Sequence, residues 1–382
     1  MGGKPRDPSP ECESVESKPT RPPGVGEDAI LRVLRVPPES AGMRVDVFLQ
    51  SQLRGTSRTR ARAIIENSAF TPEGRRLRAS DRLRAEQRVV LWRPALDEQT
   101  DGPPLPILYE DPHLLVVDKP PLMAVHPTAR YHRSTVIKRL AQERPGEFLS
   151  LVHRIDRETS GLLLVARSPQ AERAFKRLLE DRSMAEMARA DPALAFTRSE
   201  SERRALLERA RRAAPMGKTY LAITWGVPAV TAIDVPLELD PNNPLRVKMR
   251  VAERGGGLDA RTAVEVLEER AGYGLVACEL HTGRQHQIRV HLSSIGCPIV
   301  GDKLYGPDER LLARAADGEL DDADRAKLEL PRHALHAHRY TLTHPLTLER
   351  LELVSPLPED LAEFWRGLLL RSDAADAPDR TH

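Results

Sequence analysis

The sequence predicts an α+β protein in which a large, sheet-dominated domain follows a small basic module, and three observations carry that reading. The chain has 382 residues, more than the roughly 250–300 that one hydrophobic core supports, so two domains with tails are expected. From about Pro106 onward, apolar runs of strand length alternate with turns, and the helical stretches between them follow no regular βαβ order. Between Arg44 and Arg93, twelve arginines face five carboxylates, a net of +7 on a short stretch.

The elements follow in chain order. Residues 1–28 are rich in Pro, Glu, Ser and Gly with almost nothing to bury, which predicts a disordered arm. In the module at 29–94, Val45, Phe48, Leu49 and Leu53 recur at helical spacing and Gly55 ends that helix. Thr56 or Ser57 then caps a second helix whose inward face is Ala61, Ile64 and Ile65. Arg58 and Arg62, four apart, share an exposed face of that helix. Their scarcity of acidic neighbours favours phosphate contact over a merely solvated face. A strand near Val89 precedes a linker over 95–105. The larger domain, 106–370, is expected to hold strands at 114–117, 150–152, 162–167, 220–225, 262–267, 275–280 and 287–292, with helices at 136–142 and 170–180. The polar, helix-favouring stretch 182–214 reads as a surface insertion and 317–324 as a second exposed excursion. Residues 371–382 read as a disordered tail.

Composition excludes several classes. The total of 58 bases against 56 acids, +2 net, averages over unlike parts and leaves an RNA partner open. Only nine of those bases are lysine. Arginine suits bidentate phosphate contact and stacking, although genome-wide base composition yields the same bias. No run approaches the roughly 18 apolar residues of a membrane helix, and no apolar segment of a secretory signal opens the chain. Cys12, Cys278 and Cys297 form neither a disulfide framework nor a metal-ligand spacing. A reduced, cytoplasmic protein without a membrane partner is expected.

Two segments carry chemistry. In Val152-His153-Arg154-Ile155-Asp156-Arg157-Glu158-Thr159-Ser160-Gly161, a carboxylate sits between strand-like runs with an arginine on either side. Nearby positive charge favours its ionised form, so Asp156 reads either as a nucleophile or as half of a structural ion pair. In His281-Thr282-Gly283-Arg284-Gln285-His286-Gln287-Ile288-Arg289-Val290-His291, a turn leads into an expected strand on which Gln287 and Arg289 point one way and Ile288 and Val290 the other. Arg289 is thereby offered a line to a partner carboxylate, whether in a cross-sheet salt bridge or in a site. His281, His286 and His291 lack a matching acidic or cysteine ligand, which argues against a metal centre.

Together with Lys218-Thr219-Tyr220-Leu221-Ala222 and Gly301-Asp302-Lys303-Leu304-Tyr305-Gly306, these segments resemble the RluA-type (RluA/RluD-like) RNA pseudouridine synthases. Residues 153–161 match the family's His-Arg-(Leu/Ile)-Asp-x-x-Thr-Ser-Gly pattern. Asp118-Lys119-Pro120 with Val125-His126-Pro127 matches its opening strand and loop. His336-Ala337 and Pro356-Leu357-Pro358 resemble its closing region. The likeness spans about Ile107 to Leu368. The module from Met43 to Pro94 is similar to the S4-like RNA-binding domain that many members carry, with Asn67-Ser68-Ala69-Phe70 in place of the usual glycine-containing turn. The 182–214 stretch is a departure from the family pattern.

The resemblance implies a pseudouridine synthase fold, with a large mixed, mainly antiparallel central sheet flanked by helices, plus a small S4-like α/β module. It implies isomerisation of uridine in structured RNA, with ribosomal RNA favoured and transfer RNA the alternative. Asp156 would attack the target nucleoside, the N1–C1′ bond would break, and uracil would turn and rejoin through C5. Attack at C1′ and other routes to a detached uracil both remain open. Uracil is a stabilised anionic leaving group that stays in place, so one nucleophilic carboxylate suffices where a retaining glycosidase needs two. No cofactor or metal is required. Arg289 would pair with Asp156, Ile288 would pack on the base, and Tyr220 would stack on uracil and assist removal of the C5 proton. Arg154 would fill the space left by the flipped nucleotide, whose extrusion phosphate contacts could offset. His153, Thr159, Arg284 and His286 complete the expected substrate contacts. The protein is expected to be a monomer. Two competing readings are a non-catalytic RNA-binding or ribosome-assembly factor that kept the fold, and a histidine-ligated metallohydrolase.

Overall fold

The computed structural model describes residues 19–26, 29–53, 58–93, 104–128, 131, 133–190, 216–243, 247–253, 256–317 and 319–375. The chain divides into two compact units between Asp97 and Glu98. Among the described residues, no helix is long and apolar enough to cross a membrane.

In the first unit, strand β1 (Ile30–Arg35), helices α1 (Val45–Gln52) and α2 (Arg58–Ser68), and strands β2 (Ala69–Phe70) and β3 (Arg88–Arg93) follow in order. The strands form one antiparallel sheet in the order β1-β3-β2. Val45, Phe48 and Leu49 of α1 and Ala61 and Ile65 of α2 are buried against Leu77, Leu83, Val89 and Leu91, as the helical spacing requires. The capping positions Thr56 and Ser57 lie outside the described residues. Arg58 and Arg62 do share a face, but they are not simply free cations. Each Nε lies 3.3 Å from Oδ2 of Asp46, and Arg44 binds the same carboxylate through Nε and Nη2 at 3.0 Å. Asp46 is wholly buried, and hydrogen bonding from Arg44 first, then from Arg58 and Arg62, holds it well below the usual carboxylate range. One anion thus organises three guanidinium groups, two of which remain about half exposed at 53% and 52%.

Residues 19–26, expected to be part of a free arm, instead lie along this unit. The Thr20 N–H donates to the Pro72 carbonyl at 2.8 Å, Arg21 covers the Trp92 ring at 5.5 Å, and Val25 packs with Phe70, Val90 and Trp92. Its few apolar groups find the aromatics on the outer face of β3, a gain that composition averaged over 28 residues hides.

The second unit runs β4 (Ile107–Glu110), β5 (Leu114–Lys119), α3 (Val136–Glu143), β6 (Ser150–Leu151), β7 (Ser160–Ala166), α4 (Pro169–Ala190), β8 (Gly217–Trp225), β9 (Ala232–Asp234), β10 (Leu237–Leu239), β11 (Met249–Val251), β12 (Arg261–Arg270), β13 (Tyr273–Leu280), α5 (Gln287–Ser294), α6 (Leu311–Asp317), α7 (Asp322–Leu328), β14 (Leu335–Thr343), β15 (Arg350–Val354) and α8 (Glu359–Ala375). Ten strands make one sheet in the order β4-β5-β7-β14-β8-β13-β12-β9, with β15 beside β14 and β6 beside β7. The pairing is antiparallel except between β14 and β7. Every residue of β7 is buried, consistent with its unbroken apolar run and central place. Gly161 sits at φ +101°, and a Cβ there would collide with the Ala337 carbonyl of β14.

The register sets up the site. Gly161 faces Ala337, Ala337 faces Tyr220, and Tyr220 faces Cys278, so one rung crosses β7, β14, β8 and β13. Gly161, just after the loop, and Tyr220 are therefore roughly 10 Å apart along the rung, two inter-strand spacings.

Four expectations for this unit are corrected. Residues 287–292 form helix α5, not a strand. Their polar–apolar alternation misled because the helix is buried all round, with each polar side chain partnered: Gln287 and His291 both bond Thr262, and Arg289 bonds two carboxylates. Residues 317–324 are not merely an exposed excursion. Asp321 caps α7 and Asp324 is buried against Arg314. The polar run from 182 begins as a continuation of α4 to Ala190, and Arg182 is buried with its guanidinium on the Leu280 carbonyl. Residues 191–215 lie outside the described residues. Residues 371–375, read as tail, continue α8.

Candidate active site

Between β6 and β7 the chain makes a short irregular loop, and several independent bonds fix it. The Thr159 N–H donates back to the Asp156 carbonyl at 3.2 Å, and Thr159 Oγ1 meets His333 Nε2 at 2.8 Å. Glu158 accepts both from Lys303 Nζ, at 2.9 and 3.1 Å, and from the His333 N–H at 3.1 Å. From the other side, the buried Lys119 ammonium donates to the carbonyls of Pro120, Met123 and Arg157 at 2.7, 3.0 and 3.1 Å. Burial pushes that lysine down to about 7.

Asp156, at the centre of the loop, keeps 31% of its side chain exposed. Its Oδ2 accepts from Arg289 Nη1 at 2.7 Å. Burial raises a carboxyl, but the Arg289 guanidinium outweighs it and holds Asp156 at about 2. The flanking arginines do not supply this charge. Arg157 turns to the Leu122 carbonyl, Glu158 and the Tyr131 ring. Arg154 is exposed and makes no hydrogen bond or ion pair among the described residues.

Arg289 is held in turn. Its Nε and Nη2 form a fork on buried Asp302 at 2.6 and 2.9 Å, and its guanidinium lies 5.0 Å from the centre of the Tyr305 ring. Asp302 also accepts from the N–H groups of Leu304 and Tyr305 at 2.9 and 3.0 Å. Burial opposes this carboxyl too, and Arg289 again prevails, keeping it well below the ordinary range. One cation thus serves two carboxylates, one fully enclosed and one facing a cavity.

That cavity, of about 310 Å³, is walled by Asp156, Tyr220, Ile288 and Arg289. His153, Arg154, Thr159, Arg284 and His286 line it as well, so each substrate-contact residue expected in this unit contributes. Arg58 and Arg62 belong to the first unit. The Tyr220 hydroxyl bonds that of Tyr340 at 2.8 Å. Burial pushes Tyr220 up to about 12, so it is a phenol near neutral pH. His153 accepts from the Leu164 N–H at 3.2 Å, and burial keeps it neutral. Arg284 donates through Nε to the Asp259 carbonyl at 3.0 Å.

Sequence reasoning assigned no role to Asp302, Tyr305, Lys218, Glu158 or Tyr340. The first four lie inside motifs quoted above, which was a usable signal. Tyr340 carried none, being brought to Tyr220 only by β14. Lys218 lines the cavity, and burial, seconded by Arg182, pushes it down to about 7. Among the described residues no group of three or more His, Cys, Asp or Glu is placed to hold a metal. His286 bonds Tyr305, and His291 bonds Thr262 and the Val235 carbonyl.

The family model for RNA pseudouridylate synthase matches residues 113–186 and 193–294. The chain is 33% identical over 362 residues to "Ribosomal large subunit pseudouridine synthase D" of Xanthomonas campestris pv. campestris, covering 92% of this chain and 96% of that protein. It is 32% identical over 359 residues to the protein of the same name from Pseudomonas aeruginosa, covering 91% and 98%. Among solved structures, "Human RNA Pseudouridylate Synthase Domain Containing 4" is similar at 27% identity and a TM-score of 0.48, over 69% of this chain and 92% of that one. With motifs and near full-length relatives in agreement, the chain belongs to the RluA/RluD-type family of RNA pseudouridine synthases.

Proposed function

We propose that this enzyme isomerises uridine to pseudouridine in large-subunit ribosomal RNA, with Asp156 as its nucleophile and without a cofactor. The observation that carries the chemistry is the asymmetry of Asp156. Arg289 occupies Oδ2, while Oδ1 accepts no hydrogen bond among the described residues, and His286 Nε2 stands 3.9 Å from it. An ionised carboxylate with one unspent oxygen in a cavity wall is suited to attack. The substrate reading rests on the likeness to the large-subunit ribosomal RNA enzymes of Xanthomonas campestris and Pseudomonas aeruginosa.

Asp156 attacks the target nucleoside and the N1–C1′ bond breaks, its electron pair leaving with uracil. The base turns, C5 bonds C1′ and Asp156 is released; C5 loses its proton and N1, which kept the bonding pair, gains one, so product and substrate are isomers. Ile288, buried in the cavity wall, packs against the base. Tyr220 stacks on it. As a proton acceptor Tyr220 would first have to lose its own proton, which its burial opposes. With an exposed side chain that pairs with no other among the described residues, Arg154 fills the gap left by the flipped nucleotide. The first unit serves as an S4-like RNA-binding module, with Arg58 and Arg62 on phosphate.

The test is Asp156→Asn on unmodified ribosomal RNA. Pseudouridine formation is expected to disappear, and undiminished formation removes Asp156 from the role. Wild-type protein that modifies transfer RNA transcripts and leaves ribosomal RNA untouched would reassign the substrate.

A further inference from the structure

The Tyr305 hydroxyl accepts a hydrogen bond from the Met249 N–H at 2.8 Å and lies 2.8 Å from His286 Nδ1. Tyr305 is buried, and among the described residues no third polar atom is within hydrogen-bond reach of its oxygen. Buried hydroxyl protons find acceptors, so this one goes to His286 Nδ1. A neutral imidazole that accepts at Nδ1 carries its own proton on Nε2. His286 is neutral near pH 7 because burial, helped by the Arg289 and Arg154 guanidinium groups, pushes it down to about 4 against the opposing pull of Asp156 and Asp302.

His286 lines the cavity, and the Nε2 so defined as a donor lies 3.9 Å from Asp156 Oδ1. That separation is too long for a hydrogen bond, so a donor stands unspent beside the nucleophile. The backbone adds a second sign. His286 precedes α5 in the left-handed region, at φ 56° and ψ 18°, a conformation that an L-residue keeps when its surroundings enforce it.

We propose that His286 is a neutral electrophilic contact of the reaction: its Nε2–H donates to an exocyclic oxygen of the target uracil, and Tyr305 is the positioning residue that fixes this tautomer. The inference rests on the Asp156 reading above and deepens it. When N1–C1′ breaks, the bonding pair makes uracil an anion whose charge spreads onto its carbonyl oxygens. A preoriented neutral donor stabilises that charge without any proton changing hands. An imidazolium in the same place would pair with Asp156 and occupy the attacking oxygen.

Two measurements test this on the full chain. In ¹⁵N-labelled protein without RNA, the His286 ring nitrogens are expected to report a neutral Nε2–H tautomer from pH 5.5 to 8. In Tyr305→Phe they should report a mixture of tautomers. A wild-type ring that is Nδ1–H, or charged, at pH 7 overturns the proposal. The second measurement is the single-turnover rate on pooled unmodified ribosomal and transfer RNA transcripts. His286→Leu is expected to lose on the order of 10²–10³-fold, as when one oxyanion donor is removed, with RNA affinity unchanged. His286→Gln, which keeps an N–H near the position of Nε2, should retain the rate to within about tenfold. A wild-type rate in His286→Leu, or a loss confined to RNA binding, overturns it. If the leucine variant does not fold, the wild-type spectrum and the glutamine variant still decide. An active Asp156→Asn enzyme would overturn the underlying reading instead, and is distinguishable because it leaves the His286 spectrum as stated.

Discussion

Replacing Arg289 by methionine separates what its charge does from what its shape does. At an effective dielectric near 20, unit charges about 4 Å apart attract by about 4 kcal/mol. At about 1.4 kcal/mol per pH unit, that is about three units of carboxyl pKa. Asp156 stands at about 2 with the guanidinium in place, so in Arg289→Met it should rise to about 5, since only His286 and His333 then oppose burial. The active form is the carboxylate, present above its pKa and lost as pH falls through it. Single-turnover rates between pH 4.5 and 8 should therefore show an acid limb near pH 5 in the variant. The wild type should show none in that range. Arg289→Lys keeps a charge, so its limb should stay below the range, but its rate should drop because one ammonium cannot fork onto Asp302 while reaching Asp156. Removing the guanidinium also strands buried Asp302, at about 3–5 kcal/mol. Adding Asp302→Asn relieves that cost without restoring the charge. If the limb of Arg289→Met, with or without Asp302→Asn, stays below pH 4.5, the electrostatic account of Asp156 is wrong.

Gly161→Ala should destabilise the second unit by about 3 kcal/mol, because its φ of +101° and the Ala337 carbonyl leave no room for a Cβ; an unchanged thermal midpoint would contradict this. In the full chain, Arg58→Gln with Arg62→Gln leaves Arg44 on Asp46, and the slope of log affinity for RNA against log salt should fall by about 1.5, at roughly 0.7–0.9 per lost phosphate contact. An unaltered slope would mean that the two arginines serve Asp46 alone. Tyr340→Phe strands the buried Tyr220 hydroxyl, at about 1–3 kcal/mol. Thermal unfolding should report that loss, and single-turnover rates should fall more than RNA affinity does.

The loop that carries Asp156 was legible because its motif is contiguous: 153–161 gave both the turn and the carboxylate. The Arg289 partner was legible through the resemblance, although the reasoning attached to it was wrong. A strand was expected at 287–292 because six residues of alternation cannot be told from a buried helix whose polar groups are all satisfied. Read from the loop alone, the charge that ionises Asp156 was sought next to it in the chain, at Arg154 and Arg157; the resemblance placed it at Arg289, 133 residues away, where the structure has it. Asp46 was counted as one acid among twelve arginines, yet burial makes it the centre around which three of them gather. Tyr340 and His333 reach the site only through pairings and bonds that cross more than a hundred residues, and no local pattern encodes such distances.

Strand β14 is among the last elements of the chain, yet it lies between β7, which follows the Asp156 loop, and β8, which carries Tyr220. As the chain leaves the ribosome, those two strands cannot acquire their final neighbours until residue 343 has emerged. The candidate site is therefore among the later parts of the domain to form, and closing a sheet from its middle is slow because it needs contacts of high sequence separation. A nascent or C-terminally shortened chain would hold its arginine-rich module complete while its chemistry is still unassembled. Timing of synthesis thereby becomes a control on when this enzyme can first act on RNA.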